Sequence, residues 1–578
     1  MKTKIGLILL TTLLLLPGCG AKEDDKVHLI ILAGQSGARG KALNSDLLDG
    51  YENSDIEIIQ DGLMMPNLNK IPTLIKNPEI KELKAGYGDT STEHGPELGI
   101  GQTLASRYQK KNGNRRAVIV KYSACGSTFV DHWYSESMLN DKEISPLLNK
   151  KQIRENPTTG NKVGPLTNNL YQIIDEVKYI LEEEGYESVV DGCIFIHGEQ
   201  DAKEDVNMDI YEKALEYFVT DLRSYVGNDN MPFVVTEAVT NSAKYSNKLR
   251  DIQRNITSKL TNTSFVGAKD LYSNTFESWH FDAESNMILG NRAASELISY
   301  NDDRKLKEVL HPVVEVPFNY KVELPSYIEA SFKNDKTGYL KVEYKNDYDY
   351  TKLGEQEVSF TSEAGEGKLK INVTNNPYVD GNVSETNLYK EISLNDKGTL
   401  YLSKGETGLY VGAKINDKNI CTDGEAWHSE DMGQKGQNDD LRVYLTTSDV
   451  KDRITLCLSS SNLFRVYDNG TSLNDTGLHN KNLVYKKFIE NYSHHVTTNG
   501  LVNTSDKSLG MDMEMFISYA DLGISNPDNI KICFNYSDIS LDGTSKKQED
   551  NYIVKNESSN VNLEEDINSY FAINDLLK

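Results

Sequence analysis

The chain has 578 residues, of which 38% are hydrophobic and 26% are charged. This is the composition of a globular protein, and the length is too great for one core, so two to four domains are expected. The formal net charge of −25 at pH 7 argues against nucleic acid as a partner, because no basic face is offered to phosphates. It also argues against electrostatic docking on an anionic bilayer.

The chain begins with a pattern typical of a targeting segment. Lys2 and Lys4 precede an apolar run over residues 5–16, which has the length of a signal-peptide core and is too short to cross a bilayer. No later apolar run reaches about 18 residues, so no transmembrane helix is predicted.

The end of this segment, Leu16-Pro17-Gly18-Cys19, resembles a bacterial lipoprotein processing site. That resemblance implies a signal peptide over residues 1–18, lipid attachment to Cys19 and a polar tether over residues 19–26. An ordinary signal peptide with a chance cysteine is the alternative. The expected location is the bacterial cell surface, outside the cytoplasm, with the lipid as the only membrane anchor.

The first strand signal is an apolar run over residues 29–33 that ends in the small-residue turn Gly34-Gln35-Ser36-Gly37. A run without alternation is typical of a parallel strand buried on both faces, and α/β folds place their chemistry at the carboxyl ends of such strands. Ser36 is therefore a candidate nucleophile, provided that a base and oxyanion donors lie beside it. The alternative is a helix N-cap, for which serine is a preferred residue.

Further strands and helices alternate along the first 300 residues. The strands are predicted over 117–122, 189–196 and 232–236, and amphipathic helices over 166–184 and 209–225. This order predicts a parallel sheet with helices on both faces.

After residue 300 the pattern changes to alternation of apolar and polar residues. Residues 339–344 and 367–373 are predicted as half-buried strands, within a small β domain or spacer over 311–375. The remainder, 376–578, is predicted to be an all-β sandwich.

The cysteines other than Cys19 are far apart and odd in number, so neither a disulfide framework nor a zinc site is predicted. No His and carboxylate residues cluster at metal-ligand spacing. No metal and no cofactor are expected.

Five short blocks in the first domain carry a family resemblance. They are Gly34-Gln35-Ser36, Gly95-Pro96-Glu97, Lys121-Tyr122 with Gly126 and Trp133, Gly198-Glu199-x-Asp201, and His280-Phe281 before Leu289-Gly290. In this order they resemble the sialate O-acetylesterase-like branch of the SGNH hydrolases, which includes acetylxylan esterases of carbohydrate esterase family six. The resemblance implies a flavodoxin-like three-layer domain over 27–302 that hydrolyses O-acetyl esters on sugars.

The same resemblance implies catalytic roles. Ser36 would be the nucleophile, His280 the general base, and Glu277 the acid that orients the imidazole. Asp282, two residues after His280, is an alternative acid. Some hydrolases of this type work as serine–histidine dyads without an acid.

The oxyanion hole implied by the resemblance consists of the backbone N–H groups of Ser36 and Gly126 and one side chain. The family has glutamine or asparagine at the position of that side chain, whereas this chain has His197. A neutral imidazole still donates one hydrogen bond, so His197 is retained as the expected donor. Gln35 and Glu199 are expected to bind substrate, although Glu199 and Asp201 are also typical loop-bracing residues.

Residues 376–578 carry a weaker resemblance to a family-nine carbohydrate-binding module, in the blocks 379–382, 408–417, 439–445 and 513–517. It implies an antiparallel sandwich that grips sugars between aromatic rings. Trp427 is the one tryptophan there, so a sandwich that merely spaces or braces the enzyme is an equal alternative.

The leading hypothesis is a surface-anchored carbohydrate O-acetylesterase, a serine hydrolase that forms an acetyl-enzyme on an acetylated glycan of sialic acid or xylan type. The first alternative is a surface glycan-binding protein with an inactive hydrolase-like domain. A lipase or thioesterase on the same fold is the second, although few apolar residues flank Ser36 to form an acyl groove.

Overall fold

A computed structural model describes residues 26–47, 53–61, 71, 78–110, 116–239, 241–273, 278–383, 389–422, 438–448, 454–468, 492–542, 545–554 and 570–578. The predicted signal peptide, the lipid-attachment residue Cys19, the predicted acid Glu277 and Trp427 lie outside these ranges. Among the described helices, none has the length and apolar character needed to cross a membrane.

The described residues between Val27 and Val266 build a mostly parallel sheet. Its strands and the short strands between them are β1 (Val27–Gly34), β2 (Ala42–Leu43), β3 (Asn53–Asp61), β4 (Lys81–Leu83), β5 (Glu93–His94), β6 (Ala117–Ser123), β7 (Arg154–Glu155), β8 (Lys162–Val163), β9 (Ser188–Ile196), β10 (Phe233–Thr236) and β11 (Thr263–Val266). The sheet order is β11-β10-β9-β1-β6-β3-β4. All neighbours run parallel except β4, which pairs antiparallel with β3.

The segment β6-β1-β9-β10-β11 has the flavodoxin-like order 2-1-3-4-5, and β3 with β4 extends it at one edge. Along the chain, β6 pairs with one side of β1 and β9 later pairs with the other side. This reversal of strand order opens a crevice at the carboxyl end of β1. Ligands of open α/β sheets bind at this kind of switch point. The predicted fold class is thereby confirmed.

Helices cover both faces of the sheet. They are α1 (Ser36–Arg39), α2 (Glu97–Ala105), α3 (Glu136–Asn140), α4 (Pro165–Glu183), α5 (Asp205–Val226), α6 (Ser246–Lys259) and α7 (Ala283–Ser299). Residues of α4, α5 and α6 share one apolar cluster with Leu29 and Ile31, and residues of α2 and α7 share another with Ile30 and Leu32. Strand β1 is therefore apolar throughout because its side chains enter a core on each side.

A smaller β region follows, with β12 (Leu306–Val309), β13 (Val313–Pro317), β14 (Tyr327–Phe332), β15 (Thr337–Lys341), β16 (Glu343–Tyr344), β17 (Gly354–Ser362) and β18 (Gly365–Thr374). These strands form two small sheets, β12-β14-β15 and β13-β18-β17-β16. The region contacts the first domain at α2, where the Tyr339 N–H donates to Thr103 Oγ1 over 3.0 Å and Arg304 donates to Ser106 Oγ over 2.7 Å.

The last part of the chain is an antiparallel sandwich, hereafter the sandwich. Its elements are β19 (Lys390–Ser393), β20 (Gly398–Lys404), β21 (Gly408–Ile415), β22 (Asp440–Thr446), β23 (Ile454–Ser459), β24 (Phe464–Asp468), β25 (Tyr492–Gly500), β26 (Ser508–Ser518), β27 (Lys531–Asp542), β28 (Ser545–Val554), β29 (Phe571–Ala572) and α8 (Ile573–Leu576). One sheet has the order β19-β20-β21-β26-β25, and the other β24-β23-β22-β27-β28 with β29 on β27. Val411, Met513, Leu456 and Phe534 belong to the shared core.

Aromatic side chains of the sandwich, where the structure describes them, are buried or half-buried, as for Tyr389, Tyr410 and Phe464. Tyr389 and Tyr410 stack on each other with centroids 4.2 Å apart. A sugar-gripping pair of exposed rings is therefore absent from the described part of the sandwich, and sugar binding there stays a prediction.

A buried ion pair lies beneath the end of β1. Lys121 on β6 and Glu97 at the start of α2 are fully buried, with Nζ 2.7 Å from Oε2. Lys121 also donates to the carbonyl oxygens of Arg39 (2.8 Å) and Tyr87 (2.6 Å), and Glu97 accepts the Gly95 N–H over 2.9 Å. All three ammonium hydrogens thus have acceptors, and α1 is tied to two other segments.

Helices α2 and α7 approach each other through glycine. A Cβ built on Gly290 would lie 2.1 Å from the Pro96 carbonyl oxygen, and one built on Gly99 would lie 2.1 Å from that of Met287. Both positions therefore require glycine for close backbone contact rather than for an unusual φ. This contact fixes α7, whose first residue follows the His280 segment.

We predict that Gly290→Ala destabilises the protein by about 1–3 kcal/mol, because the added methyl group overlaps backbone of α2. Urea unfolding measures the change, and Glu284→Ala on the exposed first turn of α7 is the matched control. Unchanged stability of Gly290→Ala would contradict the close contact, since alanine otherwise favours a helix over glycine.

We predict a larger effect for Lys121→Met, which leaves Glu97 buried without its cation and is expected to cost about 3–5 kcal/mol. The double variant Lys121→Met/Glu97→Gln should recover part of this loss, because no buried charge remains. Lys307→Met is the control, since Lys307 pairs with Asp335 on an exposed surface. Equal unfolding free energies for the single and double variants would refute the coupling.

Candidate active site

Ser36 lies at a sharp turn between β1 and α1. Gly34 has a φ of +137°, and a Cβ there would lie 1.9 Å from the Ile196 carbonyl oxygen, so the turn demands glycine. Ser36 is the first residue of α1, while Gln35 occupies the N-cap position without a side-chain capping bond. The alternative interpretation of Ser36 as an N-cap is therefore wrong, and its side chain is available for another role.

Gln35 links this turn to the loop after β9. Its side-chain oxygen accepts the N–H groups of Gly198 (3.2 Å) and Gln200 (3.4 Å), and its own N–H donates to the Ile196 carbonyl over 2.9 Å. Gln35 was predicted to bind substrate, and the contacts observed for its oxygen are those of a brace.

The predicted oxyanion turn follows β6, next to the end of β1. The Ala124 N–H donates to the Gly34 carbonyl over 3.1 Å, and Gly126 adopts a φ of +67°. Ser127 Oγ donates to the Ala124 carbonyl and receives the Trp133 indole N–H, at 2.7 and 2.8 Å. The turn is thus held rigidly beside Ser36, as an oxyanion hole requires.

Cys125 in this turn is not a nucleophile. Burial, with a smaller contribution from nearby Asp89, raises the pKa of its thiol to about 11, so the thiol is protonated at neutral pH.

His280 lies in the loop that leads into α7 and is 9% exposed. The loop is fixed by an antiparallel bridge between Ser273 and Phe281 and by the Asp282 N–H, which donates to the Tyr272 carbonyl over 3.0 Å. Asp282 Oδ1 accepts the Ser285 N–H over 2.8 Å and so caps α7. A capping role accounts for Asp282, the nearby carboxylate that sequence analysis left as an alternative.

Glu199 connects the Ser36 turn with His280. Its carboxylate is 3% exposed, and a Cβ built on Gly37 would lie 3.6 Å from Glu199 Oε1. Burial raises the pKa of Glu199, while the hydrogen bond from its own backbone N–H and the charges of His280 and Arg250 act to lower it. Among the described residues, Glu199 Oε2 has no hydrogen-bond partner.

Arg250 on α6 supplies positive charge behind Glu199. Its guanidinium donates to Asn241 Oδ1 over 2.7 Å and to the Ala238 carbonyl over 3.2 Å, and its Nε lies 3.8 Å from Glu237. These contacts hold in place a cation whose charge acts against the rise in the pKa of Glu199 that burial causes.

His197 lies in an aromatic core. Its ring centroid is 4.8 Å from that of Phe129 and 5.0 Å from that of Phe195. Nδ1 is 3.4 Å from the Tyr211 hydroxyl, and Nε2 is 3.7 Å from Asp201 Oδ2. Burial lowers the pKa of His197 to about 3, so the ring is neutral, and its two nitrogens face core residues. Its assignment as an oxyanion donor stays a prediction.

Asp201 braces the loop after β9, which is the role that the sequence indicated for it. Its Oδ1 accepts the Phe129 N–H over 3.1 Å, which joins the loop after β9 to the segment after the oxyanion turn.

The structure thus places Ser36, the Gly126 turn and Glu199 after the carboxyl ends of β1, β6 and β9, and His280 interacts electrostatically with Glu199. Glu277, the predicted acid, lies outside the described residues. Sequence reasoning missed that Glu199 lies next to the Ser36 turn and interacts electrostatically with His280. It missed Arg250 entirely, because α6 carries no motif that marks one arginine among several charged residues.

One family model matches the α/β domain. Residues 26–299 match the family model described as carbohydrate esterase, sialic acid-specific acetylesterase, which is a little under half of the chain. No curated protein matches the sequence.

Solved structures with similarity include a protein from Arabidopsis thaliana, at 15% identity, covering 47% of this chain and 98% of that chain with a TM-score of 0.34. A carbohydrate acetylesterase from Xanthomonas citri is 13% identical, covering 60% of this chain and 78% of that chain with a TM-score of 0.34. A family 9 carbohydrate-binding module from Caldicellulosiruptor kristjanssonii, in complex with cellotriose, is 13% identical, covering 31% and 80% with a TM-score of 0.19.

The family match has the bounds of the α/β domain described above and includes the Ser36 turn, the Glu199 loop and the His280 segment. Residues 26–299, which form the α/β domain, are therefore similar to carbohydrate esterases of the sialic acid-specific acetylesterase family.

Proposed function

We propose that the protein is a carbohydrate O-acetylesterase that removes acetyl groups from acetylated sugars of sialic acid or xylan type through a serine nucleophile. The observation that carries this proposal is the position of Glu199 next to Gly37 in the Ser36 turn, where its carboxylate interacts electrostatically with His280. The family match of residues 26–299 supports the ester class. The pattern at residues 16–19 supports the further proposal of lipid anchoring at the cell surface.

In the proposed mechanism, Ser36 Oγ attacks the acetyl carbonyl carbon while His280 accepts the hydroxyl proton. The backbone N–H groups of Ser36 and Gly126 stabilise the oxyanion of the tetrahedral intermediate. Its collapse breaks the ester bond, and His280 returns the proton to the departing sugar oxygen. A water molecule then hydrolyses the acetyl-enzyme by the same steps, releasing acetate and restoring Ser36.

A carboxylate is needed to orient His280 and stabilise the imidazolium. Glu199 is a candidate because it interacts electrostatically with His280 and has an unpartnered oxygen. Glu277 is the candidate from sequence. We propose that Glu199 must be ionised for full activity, whichever of the two contacts the imidazole directly.

We predict that Ser36→Ala abolishes hydrolysis of 4-nitrophenyl acetate, acetylated xylan and O-acetylated sialoglycan, because the acetyl-enzyme cannot form. Release of 4-nitrophenol and of acetate measures the rates. Ser45→Ala is the matched control, since Ser45 is exposed and its hydroxyl bonds only to Asp46 in the described contacts.

Equal, near-background rates for wild type and Ser36→Ala would reject the esterase proposal. Retained glycan binding by such an inactive protein would favour the alternative of a surface glycan-binding protein, and preference for octanoyl over acetyl esters would favour a lipase or thioesterase.

We predict that Glu199→Gln lowers kcat by about 10²-fold or more while thermal stability at pH 7 is kept or raised. Burial raises the folded-state pKa of Glu199, so its ionised form costs stability above that pKa, and the cost disappears as pH falls below the unfolded value. The amide removes this cost together with the catalytic charge.

The same pKa direction predicts that the acid limb of the kcat profile lies above the range of a free glutamate, because activity is lost when Glu199 takes up a proton. Glu277→Gln is the comparison variant. A wild-type rate and pH profile in Glu199→Gln would eliminate Glu199 as a functional carboxylate.

A further inference from the structure

The sandwich packs directly against the loops that carry the active-site residues. Ser242, in the loop after β10, is the centre of a buried hydroxyl cluster. Its Oγ lies 2.9 Å from Ser278 Oγ, 3.0 Å from Thr422 Oγ1 and 3.3 Å from Ser461 Oγ. Ser278 is two residues before His280, whereas Thr422 and Ser461 belong to the sandwich.

The other flank of His280 is also connected to the sandwich. Asp282, two residues after His280, donates its N–H to the Tyr272 carbonyl over 3.0 Å. The Tyr272 ring stacks on His494 of β25, with centroids 4.5 Å apart and planes inclined by 25°. His494 is in turn held by Asn462, whose Oδ1 lies 3.0 Å from His494 Nδ1.

A third connection reaches Glu199 through Arg250. Asn241 donates from Nδ2 to the Val496 carbonyl of β25 over 3.2 Å and accepts from Arg250 with Oδ1 over 2.7 Å. The Arg250 charge acts to lower the pKa of Glu199. The orientation of this arginine therefore depends on an asparagine that the sandwich holds from its other side.

These contacts are buried. Ser278 is 2% exposed, and Thr422 and Ser461 are 1% exposed. In the docked state these hydroxyl groups are hydrogen-bonded across the interface, and a buried polar group left there without a partner would cost about 1–3 kcal/mol. The position of the sandwich on the α/β domain is thus determined by hydrogen bonds as well as by contact area.

We propose that the sandwich is a structural part of the catalytic centre, in which Thr422 and Ser461 (through Ser242) and His494 (through Tyr272) position the His280 segment, while Asn241 positions Arg250. These are positioning residues, since none of them touches the ester. The inference rests on the proposed esterase function and extends it, because it assigns the sandwich a role in turnover that does not require sugar binding.

The test compares full-length Thr422→Val/Ser461→Ala with wild type on 4-nitrophenyl acetate, a substrate too small to need a glycan-binding surface. We expect kcat to fall by about 10- to 100-fold with KM nearly unchanged, because small displacements of catalytic groups cost rates of this order. Thr422→Ser keeps the hydroxyl and should retain activity. Thr399→Val, on strand β20 away from the esterase domain, is the matched control.

A second variant tests the Arg250 connection by a property that a purely structural role would not change. Asn241→Ala removes one of the acceptors that orient Arg250, so the guanidinium is held less firmly and opposes protonation of Glu199 less. We expect the acid limb of the kcat profile to move to higher pH, with the folded state intact by circular dichroism.

Wild-type kcat in Thr422→Val/Ser461→Ala together with an unshifted pH profile in Asn241→Ala would overturn the inference. If Thr422→Val/Ser461→Ala does not fold, Asn241→Ala decides. An inactive wild type would instead refute the esterase proposal, and amide hydrogen exchange then tests the positioning. Faster exchange over 278–282 in the sandwich variant supports it, and unchanged exchange overturns it.

Discussion

The ion pair between Lys121 and Glu97 is the interaction on which the catalytic edge depends. It places a full charge of each sign in a core, which is tolerable only because every ammonium hydrogen has an acceptor. Burial lowers the pKa of Lys121 to about 8, against the raising effect of Glu97. Two of the acceptors are backbone carbonyls, so the pair fixes the course of the chain after Ser36 as well as the packing of α2 on the sheet.

From this anchor the site is assembled by short-range constraints. Gly34 allows the chain to turn against Ile196, Gln35 joins the two loops beside it, and Trp133 fixes the oxyanion turn through Ser127. The His280 segment is restrained by Ser242 and Tyr272 of its own domain, and both of these residues contact the sandwich. The α/β domain and the sandwich thus dock through Ser242 and Tyr272, which also hold the His280 segment. The two domains are therefore best described as one unit.

Much of the fold could be predicted from the sequence because β1, β6 and β9 are buried strands, and the helices α4 and α5 show clear amphipathic periodicity. Ser36 and His280 were predicted from the sequence motifs that contain them. In the structure, Glu199 lies next to the Ser36 turn and interacts electrostatically with His280. The roles of Lys121 and Glu97 were not predicted, although charged residues inside apolar elements are a visible signal. The contacts of Ser242 and Tyr272 could not be predicted, since they join residues about 180 or more positions apart.

The position of His197 has a consequence for the environment in which the protein can work. The core holds an imidazole whose pKa burial lowers from 6.5 to about 3. Between these values the unfolded chain binds a proton that the folded core excludes, so the free energy of unfolding decreases as the pH falls from 6.5 toward 3. His197, buried among aromatic side chains, thus lowers the stability of the folded protein in acid. Substitution of His197 by glutamine would remove this contribution.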